Sequence, residues 1–234
     1  MLVRAQELVR TFVDDCLDVV LSRACVHCDR PGSLVCESCA LMIPSIAKQR
    51  EFHHELWFGA SYETTVREMI NAHKDHGARA LTSDLGLLLA RAVWSASVSS
   101  SYARPVVIVP IPAHRSSLRK RGRDTVMEIA ESAASQVASR GIPCVVRSLL
   151  IREIETKRNA GRSLRQRRDV HGTFGVRSRG VIPARVIVVD DIVTTGATVN
   201  EGVRALLKSG IGVDAISCVA STPLPDEAPL RSDG

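Results

Sequence analysis

The sequence predicts an α/β protein in which helices flank a parallel sheet, with a small ribbon at the N-terminal end. The apolar runs Val106–Val109 and Val186–Val189 are typical of strands that are buried on both faces of a parallel sheet. Each run leads into a polar segment and then into an amphipathic helix. Two closely spaced pairs of cysteines, which precede both runs, indicate the ribbon.

Length and composition restrict the class of protein. The 234 residues suffice for one α/β domain and a small appendage. No run approaches the roughly 18 apolar residues of a membrane-spanning helix, and acidic residues interrupt the apolar N-terminus. We therefore expect no membrane insertion and a cytoplasmic location. Seven cysteines in such a chain are more often thiols or metal ligands than disulfides.

The positive charge is concentrated in the middle of the chain. The net charge is +6, yet residues 104–185 alone carry 18 lysines and arginines against six aspartates and glutamates. Such a segment is expected to bind anions, either nucleic acid or pyrophosphate. Aromatic residues make up 3% of the chain, which leaves few platforms for stacking single-stranded bases. Composition therefore favours a phosphorylated small molecule.

The first predicted element is an amphipathic helix over residues 2–21. Its apolar residues lie near one helical face: Leu2, Val9, Phe12, Val13, Cys16, Leu17 and Val20. A packing helix without chemistry is the favoured interpretation. Membrane association is the alternative, and the acidic residues at positions 14, 15 and 18 weaken it.

Two C-x2-C pairs follow this helix. Cys25, Cys28, Cys36 and Cys39 would supply four thiolates to a tetrahedral Zn²⁺ site with Zn–S distances of about 2.3 Å. Pro31-Gly32 between the pairs permits the chain reversal that brings them together. Four thiolates leave no open position for catalysis, so the expected role is structural or partner-binding. Free or redox-active thiols are the alternative.

Two helices are predicted before the first buried strand. Apolar spacing from Tyr62 indicates a helix that ends around Lys74, ahead of Gly77. A second helix places Leu81, Leu85, Leu88, Leu89 and Val93 on one face, and a serine-rich loop is expected from Ser95 to Ser101. Further along, a helix is expected from about Asp124 to Arg140, and strands are expected at residues 145–151 and 213–220.

A strongly basic segment follows the strand Val106–Val109. Pro110 and Pro112 cannot continue a central ladder, so the chain is expected to turn there. The predicted loop that follows contains five basic residues: Arg115, Arg119, Lys120, Arg121 and Arg123. Ligands of open parallel sheets bind beyond the carboxyl ends of the strands, where arginine forks bind phosphate oxygens. This loop is the expected pyrophosphate side of a site, and a solvated basic loop is the alternative.

Residues 186–198 carry the strongest functional signal. The buried run is expected to end near Asp190, where the acid pair Asp190 and Asp191 begins a loop that leads into a helix. The loop residues that would hold a phosphate at the helix N-terminus are Thr194, Thr195, Gly196, Ala197 and Thr198. Two carboxylates would repel a phosphate unless they bind vicinal hydroxyls or a hard cation. A sugar phosphate fits both parts of the motif, because its hydroxyls would bind the acid pair and its phosphate would bind the loop. The alternative is an ordinary strand, a Thr-Gly turn and an Asp cap.

These motifs resemble those of a known family. Residues 186–198 resemble the phosphoribosyl pyrophosphate (PRPP) signature of type I phosphoribosyltransferases. With the cysteine pairs and the Arg-Gly segment, the whole chain resembles the ComF family of phosphoribosyltransferase-like proteins. We therefore expect the N-terminal helix and a four-cysteine zinc ribbon at 1–45, a phosphoribosyltransferase-like domain at 46–222 and a mobile tail at 223–234. Two departures from the ComF pattern are Arg123, where Phe is usual, and Asp124, where Asn is usual.

The resemblance also implies roles for individual residues. Asp190 and Asp191 would hold the ribose hydroxyls of PRPP, and either would assist as a base toward an acceptor nitrogen. Lys74 would lie near PRPP, and Mg²⁺ on pyrophosphate and ribose oxygens would act as a template and neutralise charge. The arginines on the leaving group would be Arg115, Arg119 and Arg121. The basic run at 157–170 would be the mobile flap of type I transferases, with a solvated loop as the alternative; Asp169 replaces an Asn of the ComF pattern.

Three functions remain open at this point. The favoured one is transfer of a phosphoribosyl group from PRPP to a nitrogenous acceptor. A second is PRPP binding without turnover, in a regulator or scaffold. The third, implied by the ComF resemblance, is a competence or DNA-processing component that engages single-stranded DNA or a helicase partner.

Overall fold

The structure is a computed structural model, which describes residues 24–44, 46–50, 54–99, 104–152 and 172–222. The predicted helix at 2–21, the basic run at 157–170 and the tail at 223–234 lie outside the described residues. The helices are α1 (Glu37–Leu41), α2 (Thr64–Asp75), α3 (Thr82–Val98), α4 (Arg115–Arg121), α5 (Thr125–Ala138) and α6 (Ala197–Lys208). The strands are β1 (Lys48–Arg50), β2 (Leu56–Ser61), β3 (Val106–Pro110), β4 (Cys144–Val146), β5 (Leu150–Arg152), β6 (Phe174–Val176), β7 (Arg185–Val193) and β8 (Ala215–Ser221).

A six-stranded sheet forms the centre of the molecule. Its strand order is β1-β2-β8-β7-β3-β4, and all neighbours are parallel except the antiparallel pair β1 and β2. Strands β5 and β6 form a separate antiparallel pair. The predicted fold class, a largely parallel sheet flanked by helices, is confirmed.

The sheet buries apolar side chains on both faces. On one face, strand residues such as Ile108 and Ile187 pack with α2, α3 and α5. On the other, alternate residues such as Val109 and Val188 pack with α6 and the β5–β6 pair. This alternation explains why the runs 106–109 of β3 and 186–189 of β7 contain only apolar residues, because neither face of the sheet meets water there.

Strand β7 extends further than predicted. The sequence suggests an end near Asp190, but the strand runs to Val193 because β8 continues to pair with it as far as Ser221. Pairing with β3 stops earlier, at Val189 opposite Pro110. Asp190 and Asp191 therefore lie on a strand that has lost one neighbour, which opens the sheet at this point.

Two predicted loops are helical in part. The basic segment after β3 forms α4, whose N-cap residue His114 accepts a hydrogen bond from the Ser116 backbone at Nδ1, and Gly122 ends the helix in the left-handed conformation at φ 68°. The serine-rich loop expected from Ser95 begins later, because α3 continues to Val98. Within the described residues, no helix combines the length and apolar character needed to cross a bilayer.

Candidate functional site

A cleft of about 240 Å³ lies beyond the carboxyl ends of β3 and β7. Parallel strands place the loops that follow them at one edge of the sheet, which is where ligands of such folds bind. The polar side chains that line the cleft are Lys74, His114, Ser117, Arg121, Thr125, Arg152, Asp190, Asp191 and Thr198. The fold thus brings together predicted residues that are more than 120 positions apart in the chain.

The acid pair forms one wall of the cleft. Asp191 is buried, with 5% of its surface exposed, and its backbone N–H donates to Asp190 Oδ1 at 2.9 Å. Burial and the charge of Asp191 raise the pKa of Asp190 well above its usual value, and the Asp191 N–H and Lys74 oppose that rise. Lys74 and the Asp191 N–H thus offset part of the repulsion between the two carboxyl groups, whose oxygens can accept hydrogen bonds from a ligand.

Lys74 reaches the acid pair from the last turn of α2. Its Nζ lies 2.5 Å from Asp191 Oδ2, and its side chain is 20% exposed. The position near the PRPP site, which the sequence resemblance implies for this lysine, thus corresponds to a direct contact with the predicted catalytic pair. The ion pair partly neutralises the acids.

The arginines predicted to bind pyrophosphate are placed differently from one another. Arg121 lines the cleft, where its Nη2 also lies 3.1 Å from Asp75 Oδ1. Arg115 and Arg119 are exposed on α4 and do not line the cleft. Arg123, in contrast, is buried and donates to the backbone oxygen of His73 and to the Glu128 carboxylate. The four arginines of this basic segment therefore comprise one cleft residue, two surface residues and one residue with a buried side chain.

The predicted phosphate loop caps α6. Gly196 is the N-cap residue and adopts φ 77°, a conformation that side chains rarely tolerate. Thr194, Thr195 and Ala197 are exposed, and Thr198 lines the cleft. The Asn200 N–H donates to Gly196 O at 2.9 Å, so the helix begins within this loop. The N-terminal turn of α6, which carries the positive end of the helix dipole, therefore lies at the cleft through Thr198.

Arg152 lines the cleft although sequence reasoning did not select it. It ends β5, its Nε donates to Pro112 O at 2.9 Å, and its guanidinium lies 4.8 Å from the centre of the Phe174 ring. Burial lowers the pKa of Arg152 and the charge of Asp190 raises it. An arginine remains protonated in this setting, so Arg152 adds a fixed positive charge opposite the acids.

No sequence signal distinguishes Arg152 from the other arginines between residues 104 and 185. Its position depends on the pairing of β5 with β6, which places Arg152 opposite Phe174. Glu201 of α6 supports that pair, since its Oε1 accepts from the Phe174 backbone at 3.4 Å. Such contacts follow from topology and not from local pattern.

The four predicted ribbon cysteines form one cluster. Their sulfur atoms lie within 4.8 Å of one another, and the Sγ atoms of Cys28 and Cys36 are 3.5 Å apart. A tetrahedral zinc site requires sulfur separations of about 3.8 Å, so the cluster of Cys25, Cys28, Cys36 and Cys39 is close enough to bind a metal ion such as zinc. Although burial alone would raise it, hydrogen bonds from the backbone of Cys36 and Cys28 lower the pKa of Cys25 to about 6.

The ribbon is attached to the helix that carries Lys74. His27, which lies within the first cysteine pair, has its Nδ1 3.1 Å from Glu68 Oε2 of α2. Val35 and Ile43 of the ribbon pack against the hydrophobic core that contains Met69 of α2. The ribbon therefore contacts the rest of the molecule through α2, and His27 lies beside the cysteine cluster as a contact residue.

A larger cavity lies at the opposite edge of the sheet. It measures about 510 Å³, and Trp94, Ile142 and Pro143 contribute to its lining. Its lining residues include no carboxylate, in contrast to the smaller cleft. The acid pair predicted from the sequence lies in the cleft at β3 and β7.

Comparison with curated proteins identifies two bacterial relatives. The orotate phosphoribosyltransferases of Bartonella henselae and Bartonella quintana are each 39% identical to this chain over 71 residues. The match covers 30% of this chain and 37% of each relative, so it spans little more than a third of their length. No family model matches the chain.

Comparison with solved structures identifies adenine phosphoribosyltransferases. The enzyme from Leishmania tarentolae matches at 16% identity with a TM-score of 0.37, over 74% of this chain and 82% of that one. The enzyme from Trypanosoma brucei matches at 12% identity with the same TM-score, over 81% and 94% of the two chains. These likenesses are distant and carry no information on substrates. In sequence, the chain is similar to phosphoribosyltransferases over a limited part of their length.

Proposed function

We propose that the protein binds PRPP and transfers its phosphoribosyl group to a nitrogenous acceptor. The observation that carries this proposal is the cleft at the ends of β3 and β7, where Asp190 and Asp191 face Lys74, Arg121 and Arg152. A ligand with both vicinal hydroxyls and a strongly anionic group is complementary to such a site. The partial sequence match to orotate phosphoribosyltransferases supports the same class of reaction.

Each part of PRPP has a complementary region in the cleft. The loop at residues 194–198 would hold the 5′-phosphate through backbone N–H groups and threonine hydroxyls. Asp190 and Asp191 would accept hydrogen bonds from the ribose hydroxyls. The pyrophosphate would lie toward the positive charges of Lys74, Arg121 and Arg152. We place Arg115 and Arg119 outside this contact set, because both lie on the exposed side of α4.

The donor set of the cleft fits a hard divalent cation. Mg²⁺ prefers carboxylate, phosphate and water oxygens, and the coupled acid pair supplies two carboxylates. When bound, Mg²⁺ would neutralise charge on the pyrophosphate leaving group. Lys74 already places a positive charge at Asp191 Oδ2, so a bound cation would share the acid pair with the Lys74 ammonium.

The chain's own residues account for the chemistry that this reaction needs. Cleavage of the C1–pyrophosphate bond develops positive charge on the ribose and negative charge on the leaving group. Arg121 and Arg152 would stabilise the leaving group, and the acid pair would stabilise the ribose. Asp190, whose pKa is raised, can also accept a proton from the acceptor nitrogen.

The ribbon would hold a structural zinc ion through Cys25, Cys28, Cys36 and Cys39. A four-cysteine ribbon in front of a phosphoribosyltransferase-like domain is the arrangement on which the resemblance to the ComF family rests. We propose membership of that family on these grounds, and cytoplasmic location remains a prediction.

Calorimetric titration with PRPP and Mg²⁺, beside ribose 5-phosphate with Mg²⁺, tests the proposal. We expect Mg²⁺-dependent binding of PRPP that is tighter than binding of ribose 5-phosphate, because the latter lacks the pyrophosphate. An acceptor screen that measures pyrophosphate release would then separate turnover from binding alone. Absence of PRPP binding would overturn the proposal.

The single-stranded DNA or helicase partner considered from the sequence stays a prediction. The observation that would favour it is affinity for single strands that falls steeply with salt, because phosphate contacts release counterions. Fluorescence anisotropy of a labelled oligonucleotide at several salt concentrations measures this directly. Weak binding without salt dependence would exclude DNA as the ligand of the basic segment.

A further inference from the structure

We propose that Arg123 is a positioning residue that fixes the last turn of α2 and thereby holds Lys74 at the acid pair. The inference rests on the proposed function, in which Lys74 contacts the pyrophosphate end of PRPP. Arg123 lies outside the cleft lining, so it would act through Lys74 and not through the ligand.

The contacts of Arg123 point to this role. Only 6% of its side chain is exposed, and its two terminal nitrogens engage different partners. Nη2 donates to the backbone oxygen of His73, the residue immediately before Lys74, and Nη1 donates to the Glu128 carboxylate of α5. The rigid fork of an arginine can reach both acceptors at once, whereas a lysine presents a single nitrogen. Arg123 therefore ties the end of α2 to α5.

The His73 side chain makes further contacts that hold the end of α2 in place. Its ring is fully buried, and Nε2 lies 2.9 Å from Thr82 Oγ1 and 3.4 Å from Arg123 Nη1. Burial, together with the charge of Arg123, lowers the pKa of His73 to about 4. The imidazole is consequently neutral at physiological pH and adds no second positive charge beside Lys74.

The residue on the other side of Lys74 is held by the same basic segment. Asp75 Oδ1 accepts from Arg121 Nη2 at 3.1 Å. Gly122, at φ 68°, reverses the chain between the two arginines, so that Arg121 lines the cleft while Arg123 turns inward beneath α2. Lys74 is thus flanked on both sides by residues that this segment fixes.

An arginine at position 123 can make contacts that a phenylalanine cannot. Phe is usual at this position in the ComF pattern that the segment resembles, and a phenyl ring cannot donate to the His73 carbonyl. A buried guanidinium would be costly without partners, and here the His73 carbonyl and the Glu128 carboxylate supply them.

A double-mutant cycle between positions 123 and 74 tests the proposal. We expect Arg123→Met to lower PRPP affinity about tenfold or more, because a small misplacement of a contacting group has effects of this size. Affinity for ribose 5-phosphate should stay within about twofold, since its phosphate site lies at α6. In a Lys74→Met background, Arg123→Met should cause no further loss of PRPP affinity. An equal loss in both backgrounds would overturn the inference.

A second measurement reports on Lys74 without PRPP. Acetylation of Lys74 by acetic anhydride, followed by mass spectrometry, should be several times faster in Arg123→Met than in the wild type, because the amine is no longer held at Asp191. Arg123→Lys, which keeps the charge, should give an intermediate rate and serves if the methionine variant does not fold. Arg104→Lys, which disturbs the Asp214 ion pair at the far edge of the sheet, is the matched control.

The two measurements separate the two proposals. If the wild type fails to bind PRPP, the proposed function falls, and the acetylation rate still decides the role of Arg123. If PRPP binds but Lys74 reacts equally fast in wild type and Arg123→Met, the positioning role is wrong.

Discussion

Lys74 Nζ and Asp191 Oδ2 lie 2.5 Å apart, which joins the end of α2 to β7 inside the cleft. Asp191 is almost fully buried, and the Lys74 ammonium compensates for the lost hydration of its carboxylate. The pair links the stability of the cleft to its binding chemistry, because the lysine that neutralises Asp191 is also the one that we propose contacts pyrophosphate.

Lys74→Met should lower both PRPP affinity and stability. The variant leaves the Asp191 carboxylate buried without its partner, at a cost of about 1–3 kcal/mol in the free energy of unfolding. PRPP affinity should fall about tenfold or more, because a charge-assisted contact with pyrophosphate is lost. Calorimetry and thermal unfolding measure the two effects. Adding Asp191→Asn should restore stability but not affinity; a double variant as unstable as Lys74→Met would contradict the ion-pair argument.

Neutralising both acids should remove PRPP binding. Asp190→Asn combined with Asp191→Asn keeps the shape of the site but removes the charge that accepts ribose hydroxyls and attracts Mg²⁺. We expect thermal stability to remain close to that of the wild type, because the shape is kept and Asp190 no longer has to ionise beside Asp191. Titration with PRPP and Mg²⁺ checks this, and retained affinity would refute the ribose assignment.

Asp190→Asn alone should stabilise the protein at neutral pH. Because the pKa of Asp190 is higher in the folded than in the unfolded state, the folded state binds the extra proton, and stability falls as pH rises from about 4 through the folded pKa. Asp190→Asn has no carboxyl group at this position to ionise, so its stability does not fall in this way as pH rises. Its Tm advantage should therefore widen with pH, to about 2–4 °C for a gain of about 1 kcal/mol. Calorimetry across this pH range measures it, with exposed Glu131→Gln as the control. A pH-independent difference would contradict the assignment.

Cys25→Ser should remove zinc from the ribbon. The wild-type protein should contain about one zinc per chain, and loss of one thiolate should lower that content and the Tm, because a ribbon of this size has little core of its own. Metal analysis and thermal unfolding measure both. Cys144→Ser, on β4 and outside the cluster, should retain the metal. A wild type that purifies without metal, with all four thiols titratable, would end the zinc assignment.

Gly196→Ala should weaken binding of the 5′-phosphate. The residue adopts φ 77°, so a side chain there costs about 1 kcal/mol and disturbs the loop at the start of α6. Gly210→Ala, at φ 80° beyond the other end of α6, provides a matched backbone cost far from the cleft. Both variants should lose similar stability, but only Gly196→Ala should lose affinity for ribose 5-phosphate. Equal affinities would contradict the phosphate-loop role.

The sequence by itself determined the elements whose signals are local. The apolar runs at 106–109 and 186–189 identified the two central strands, because a strand buried on both faces admits no polar residue. The cysteine spacing predicted a cluster that the structure contains. Asp190, Asp191 and Thr198 were selected as one motif, and all three line the cleft because strand, loop and helix are contiguous in the chain.

Only the tertiary structure decided which basic side chains reach that motif. The sequence does not distinguish the four arginines of the basic segment from one another. In the structure, α4 and the left-handed turn at Gly122 place Arg115 and Arg119 at the surface, Arg121 in the cleft and the Arg123 side chain in the interior. Arg152 enters the cleft because β5 pairs with β6. The spacing of charged residues along the chain does not show where their side chains point. Apolar residues, in contrast, repeat with the period of their helix or strand. Burial could therefore be predicted from pattern, while the electrostatics of the site depended on the path of the whole chain.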